Sequence, residues 1–354
     1  MKKTILLSAI GFIMCFLGLD SCQHNSIRLY TQHPFDRLSD YGFFEGALDK
    51  LQAADGLLPY DLNSTLFSDY AYKQRFVYVP PSSSIPFQDS AVLDFPVGSV
   101  LIKNFYYPSD TLADYPKRLI ETRLLVHRPS GWEALPYVWN TDQSDAILEI
   151  TGGIKTIKSN SSAGIQHDFE YIIPNKNQCK GCHNHAGVLL PIGPKIRNLN
   201  KDYNYASGRH NQLDYWQAQA WFRDSLPPNL AKTVDWKDST ASLHLRALAY
   251  LDINCAHCHQ QAGPASTAGL DLSYEQSSQA NLGIWKSPVA SGKGSGGRAY
   301  GIVPGHPEQS ILPFRMQSTD PGAMMPELGR TLIHHQGVQL IRDWIAQMDS
   351  LPPS

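Results

Sequence analysis

The 354 residues carry 30 Lys and Arg against 32 Asp and Glu, a formal net charge of −2, and are 42% hydrophobic and 18% charged. That balance supports a substantial core and excludes a general polyanion binder, a coiled-coil rod and a disordered chain. The 26 Gly and 24 Pro favour turns over long helices, and no run after residue 21 reaches the roughly 18 apolar residues of a membrane span.

Lys2 and Lys3 precede an apolar run from Ile5 to Leu19, closed by Asp20, Ser21 and Cys22. Charge, short apolar run and small residues in that order predict an export signal over 1–21. Leu19-Asp20-Ser21-Cys22 also resembles a bacterial lipobox, which implies a lipid on Cys22 and attachment to a membrane surface. A soluble periplasmic product and an uncleaved anchor are the alternatives. Residues 22–35 read as a polar tether.

A short helical stretch is expected between about 36 and 60, ended by Gly56 and Pro59. Residues 36–175 then read as a β-rich, sandwich-like domain. Its strands are expected at Arg75–Val79, Ser99–Tyr106, Leu119–His127, Ala146–Thr151 and Asp168–Ile173, punctuated by Pro80-Pro81 and by Pro129 to Gly131. The domain holds no cysteine or methionine and reads as a scaffold or docking module. Residues 176–238 form a loop-rich segment.

Residues 239–354 turn helical. Ser239 and Thr240 suit a helix start, and Leu243, Ala247, Tyr250, Leu251 and Asn254 share one face that leads into Cys255. A loop rich in Gly, Ser and Lys, expected to be mobile, covers 286–301. A helix is expected over Ser310 to Met316. The last, Val338 to Met348, has Ile341, Trp344, Ile345 and Met348 at helical spacing.

Apart from Cys15 and Cys22 in the signal, the cysteines are Cys179, Cys182, Cys255 and Cys258. They form two pairs of identical spacing, Cys179-Lys180-Gly181-Cys182-His183 and Cys255-Ala256-His257-Cys258-His259. Cys-x-x-Cys-His is the attachment sequence of c-type haem. One turn of chain presents two thiols to the two vinyl groups on one porphyrin edge. The next residue, His183 or His259, supplies a nitrogen to the iron. Two covalently attached haem c groups are therefore expected. A four-cysteine zinc site and two disulfides are the rival readings.

Each iron also needs a distal ligand or an open position. The methionines beyond the signal, Met316, Met324, Met325 and Met348, all follow the second motif. Met325, before Pro326 in a turn-rich loop, is the expected distal ligand of the second haem, with Met324 as fallback; Met316 and Met348 read as core. No methionine lies between His183 and His259. The distal ligand of the first haem is thus undetermined. His210 is a weak candidate, and His167, His185 and His244 are weaker.

Leu58-Pro59-Tyr60-Asp61-Leu62-Asn63 with Leu66-Phe67-Ser68-Asp69, Ile192-Gly193-Pro194-Lys195 with Leu199-Asn200, and Pro304-Gly305-His306-Pro307-Glu308-Gln309-Ser310 accompany the two haem motifs. Together these resemble a bacterial family of di-haem c-type cytochromes with a β-rich N-terminal half. The segment around Met325-Pro326 and Asp343-Trp344-Ile345 resembles the wider cytochrome c superfamily. The expected fold is α+β: the β-rich domain followed by one or more mainly α-helical cytochrome c-type haem domains.

The resemblance implies an exported haem protein with a redox role. Single-electron transfer in the periplasm or at the membrane surface of a Gram-negative bacterium, between unidentified redox partner proteins and without nucleic acid, is the expected function. The alternative is a di-haem peroxidase-like oxidoreductase with an open first haem. Trp216, Trp221 and Trp236 could relay charge there but read as packing residues. Such an enzyme needs an acid–base group, yet Glu275, Glu308 and Glu327, the glutamates after Cys179, are not beside the first motif in sequence.

Overall fold

The computed structural model describes residues 27–108, 117–160 and 166–348, without the side chains of residues 159, 160, 166 and 167. The expected signal and Cys22 lie outside the described residues. From Ile27 the chain is already packed: Ile27, Leu29 and a buried Tyr30 join the core. Between 36 and 60 no α-helix forms. Two single 3-10 turns, Leu38–Tyr41 and Leu48–Lys50, flank β1 (Phe44–Glu45) and β2 (Gln52–Ala53). Gly42 and Leu51, both at positive φ, end these two turns.

The main sheet is an antiparallel meander in chain order: β3 (Leu57–Tyr60), β4 (Tyr72–Tyr78), β5 (Val100–Pro108), β6 (Lys117–Arg128), β7 (Gly131–Trp139) and β8 (Ala146–Leu148). A separate hairpin pairs β9 (Gly153–Asn160) with β10 (Gln166–Ile173). The sheet is covered on both sides. Phe76, Ile102, Leu124 and Leu135 pack on one face against Tyr41 and Phe43. Val77 and Leu101 pack on the other against Ile196, Leu199, Trp216 and Phe222. Consecutive buried positions such as Leu119 to Thr122 follow from this double cover. The expected sandwich is therefore corrected: the chain beyond 190, rather than a second sheet, closes the second face.

That downstream chain runs through α1 (Lys176–Cys182), the hairpin of β11 (Asn184–His185) and β12 (Val188–Leu189), and α2 (Ile196–Leu199). The hairpin of β13 (Asp202–Tyr205) and β14 (Gly208–Asn211) then leads to α3 (Gln212–Ala218). Asn175 and Gln178 form a reciprocal capping box that starts α1 where the first motif begins. Beyond residue 239 come α4 (Leu243–Leu251), α5 (Ile311–Gln317) and α6 (His335–Ala346). Helices α4 and α6 share a core of Leu248, Leu251, Ile341, Trp344 and Ile345 beside Trp236.

The expectation of a mainly α-helical cytochrome c-type domain is overturned: only 22% of the described residues are helical, and small antiparallel sheets dominate with the six-stranded one. Helical spacing exists only in short windows. Between Ala256 and Pro307 the Gly, Pro and Ser residues allow only isolated 3-10 turns. The 286–301 segment, expected to be mobile, is anchored. Arg298 donates to the Glu308 carbonyl at 2.9 Å and lies over the Phe314 ring, and Gly292–Ser295 forms a 3-10 turn.

One segment near the N-terminus ties the parts together. The Asn63 amide donates to the carbonyls of Arg197 and Asn200. Ser64 N–H donates to Asn198 Oδ1 at 2.9 Å, and Phe67 N–H to Asn254 Oδ1 at 2.8 Å. The Asp69 carboxylate accepts from the backbone N–H groups of Thr331 and Leu332, each at 2.8 Å. Tyr70 Oη donates to the Ile333 carbonyl at 3.0 Å, and Phe67 stacks on His334 at 4.1 Å. The Leu66-Phe67-Ser68-Asp69 motif is thus a clasp on the chain that follows Met325.

Candidate functional site

The two Cys-x-x-Cys-His runs adopt one local geometry. His183 N–H returns to the Cys179 carbonyl at 3.0 Å, and His259 N–H to the Cys255 carbonyl at 2.9 Å. Each motif is therefore a single helical turn with its cysteines three positions apart. In the first it is the end of α1; in the second it starts in the π turn Asp252–Ala256, which continues α4 and takes in Cys255 and Ala256. The four thiols are free. Burial pushes them all up, Cys255 to about 12 and Cys258 to about 11. They are protonated thiols, unlike the low-pKa thiolates of redox-active pairs. Neither the disulfide nor the zinc alternative is assembled, since no three His, Cys, Asp or Glu side chains gather as a metal cage among the described residues.

The imidazoles meet the requirement of an iron ligand. His183 Nδ1 lies 2.7 Å from the Leu190 carbonyl, so it must carry the proton. Nε2 is left with its lone pair, as a metal-ligating histidine needs. Burial pushes this ring down to about 4, so it is neutral at physiological pH. His259 is likewise held down by burial, and its buried Nδ1 has no protein partner.

The motifs adjoin one another. Ala186 N–H donates to the Ala262 carbonyl at 2.7 Å, joining the segments that leave the two turns. The Cys182 and Cys258 sulfurs are close enough to influence each other, as are His257 and both His183 and His259. Gly263 is required here, because a Cβ would stand 2.3 Å from the Cys258 carbonyl oxygen. His183, Cys255 and His257 lie deep in the protein yet keep accessible surface. Cys255 packs partly buried against the α4–α6 core. Two such turns joined through Ala186 and Ala262, with the His183 Nε2 lone pair left free, offer the thiols and ring nitrogens that two c-type haems would need.

The β-sheet contributes an unexpected wall. Arg75, Lys103 and Arg123 stand side by side across β4, β5 and β6, with Lys73 in the adjoining row. Arg75 is paired with Asp61 at 2.8 Å, and Arg123 with Glu121 at 2.5 and 2.8 Å. Lys103 acts on Cys182 and His183, and Arg123 on Cys179 as well. Glu121 is the carboxylate brought to the first motif, but Arg123 and Tyr171 occupy its oxygens. It is not a free acid–base group. The period-2 charges Lys73-x-Arg75 and Glu121-x-Arg123, with the lone Lys103, inside apolar strands were the available signal.

Met325 lies partly buried in a loop held from both sides. Its N–H donates to the Arg315 carbonyl at 3.0 Å, and its carbonyl accepts from Arg330 at 2.8 Å. The loop touches both motifs. Leu328 Cδ1 is 3.7 Å from the Cβ position of Gly181, while Glu327 acts on Cys258. Met324 and Met316 are buried, and Met348 packs partly buried against the α4–α6 core.

The remaining histidine candidates are placed elsewhere. His210 is exposed on the β13–β14 hairpin beside Tyr215. His244 accepts from Trp344 Nε1 at 3.1 Å, His185 is paired in β11, and the His167 side chain is not among those described. Trp216, Trp221 and Trp236 are buried packing residues. Comparison with protein-family models, curated proteins and solved structures gives no match for the chain.

Proposed function

We propose that this chain is an exported di-haem c-type cytochrome that passes single electrons between redox partner proteins; c-type here denotes thioether attachment and implies no particular fold. The carrying observation is the pair of Cys-x-x-Cys-His turns, joined by the Ala186 N–H to Ala262 carbonyl bond, with His183 Nε2 left free by the Leu190 carbonyl. Cys179, Cys182 and His183 would hold one haem, and Cys255, Cys258 and His259 the other. Each group supplies a one-electron iron couple when bound. The chain's own work is to fix the ring tautomer of His183 and hold the two attachment turns side by side. The test is a pyridine haemochrome count on the purified protein: two haems per chain support the reading, and none removes it.

Met325 is proposed as the distal ligand of the second haem. Thioether ligation raises a haem's reduction potential. Met325→Leu should therefore lower the potential of one haem or turn it high-spin while the haem count stays at two. Unchanged potentials and spectra would transfer the role elsewhere.

Export and lipidation of Cys22 complete the proposal. A single acyl chain binds membranes only marginally, so durable anchoring takes at least a second chain. Cys22→Ala should release the protein from the membrane fraction and abolish fatty-acid labelling. Persistent labelling would exclude Cys22 as the anchor.

A further inference from the structure

Lys73, Arg75, Lys103 and Arg123 share one face of the six-stranded sheet. Arg75 stands directly opposite Lys103, and Lys103 opposite Arg123, while Lys73 is two positions along β4 from Arg75. Directly opposed residues are about 5 Å apart at Cβ, and like charges so placed repel each other. Two of the heads also converge. Lys103 Nζ lies 4.8 Å and Arg123 Cζ 4.4 Å from the centre of the Phe105 ring, and Phe105 is the cross-strand partner of Lys73.

The neighbouring carboxylates do not balance this row. Asp61 accepts at Oδ1 from Arg75 at 2.8 Å and at Oδ2 from Lys201 at 2.9 Å. Glu121 accepts from Arg123 and from Tyr171. Lys73 and Lys103 are left with no hydrogen bond and no ion pair among the described residues. Half-buried cations without a partner are costly, and an anion between them removes that cost.

The row is within reach of a solute. At one end of the face Val77 and Leu101 pack with Ile196 and Trp216. At the other Phe105 and Tyr107 pack with Ile157 and Tyr171. Between these apolar clusters Lys73, Lys103 and Arg123 keep accessible surface, and the Arg123 side chain is 26% exposed. Ammonium and guanidinium donors side by side match carboxylate and phosphate oxygens.

We propose that this row binds a small dianion that carries its charge on oxygen, as carboxylate or phosphate. Two sources share that chemistry. One is a free solute; the other, in the di-haem reading, is the propionate pair of a haem.

The test uses the protein as purified. It is titrated with inorganic phosphate and with succinate by calorimetry, and its haem propionate bending bands are recorded by resonance Raman. Lys73→Gln combined with Lys103→Gln removes both unpaired charges, and Lys158→Gln, at an exposed site on β9, is the control. For a free solute, the parent protein binds phosphate or succinate saturably, and the double variant binds it about tenfold or more weakly. For propionates, the parent binds neither, and the bending bands shift in the double variant but not in Lys158→Gln. The single variants are read in the same way if the double variant fails to fold. Binding that survives in the variant, or no binding and no band shift, would overturn the proposal. A haem count of zero would sink the di-haem reading and leave calorimetry to decide the anion site alone, which keeps the two failures distinct.

Discussion

Replacing Cys255 and Cys258 together with Ala should lower the haem content from two per chain to one, and replacing Cys179 and Cys182 should do the same. The expected effect is large because, in the proposed di-haem reading, each pair would supply both covalent attachments of its group. With the thioethers gone, only His259 or His183 would be left of the attachment turn. The turns differ in their settings, so the variants should differ in stability. Cys255 belongs to the π turn that prolongs α4 into the α4–α6 core. Cys179 and Cys182 belong to a single capped turn, contacted at Gly181 by Leu328. Loss of the second haem should therefore loosen the C-terminal core more than loss of the first. Mass spectrometry of the intact chain counts the groups, and a double variant that still carried two haems would exclude that pair as an attachment site.

Asp252→Ala is expected to be the most destabilising single substitution outside the cysteines, by about 3–5 kcal/mol, the usual cost of leaving a buried charge without its partner. Asp252 accepts from Arg197 at 2.9 Å, from Lys195 at 3.2 Å and from Tyr274 N–H at 3.2 Å. The Arg197 side chain is only 2% exposed, so it cannot turn to water. Its other carboxylate, Glu275, is 51% exposed and a weaker support. Asp252→Asn keeps an acceptor for Tyr274 and should cost less. Guanidinium unfolding of both variants measures the difference. A loss below about 1 kcal/mol for Asp252→Ala would mean that Glu275 suffices for Arg197.

That each Cys-x-x-Cys-His run forms one turn was legible in its spacing, because a turn is a local matter. Strands β4, β5, β6, β8 and β10 were legible for the same reason, since alternation and turn residues act over a few positions, whereas β3, β7 and β9 were not expected. The architecture was not legible. Consecutive buried positions in β6 suggest a strand covered on both faces, but not that residues 196–222 provide the cover. The helical spacing of residues 243–251 and 338–345 suggested a helical domain, whereas the chain between them is held by turns and side-chain anchors such as Arg298. The row of Arg75, Lys103 and Arg123 was invisible in the sequence because it forms only when β4, β5 and β6 pair.

The clasp of Asp69 on Thr331 and Leu332 joins positions more than 260 residues apart. Contacts of such separation close slowly, since the intervening chain must be ordered first. A carboxylate buried without those N–H donors would be an uncompensated charge, so the closed state waits for the C-terminal segment. The order of assembly follows: the short-range turns of both Cys-x-x-Cys-His runs form first, and the latch between residue 69 and residues 331–332 closes after them.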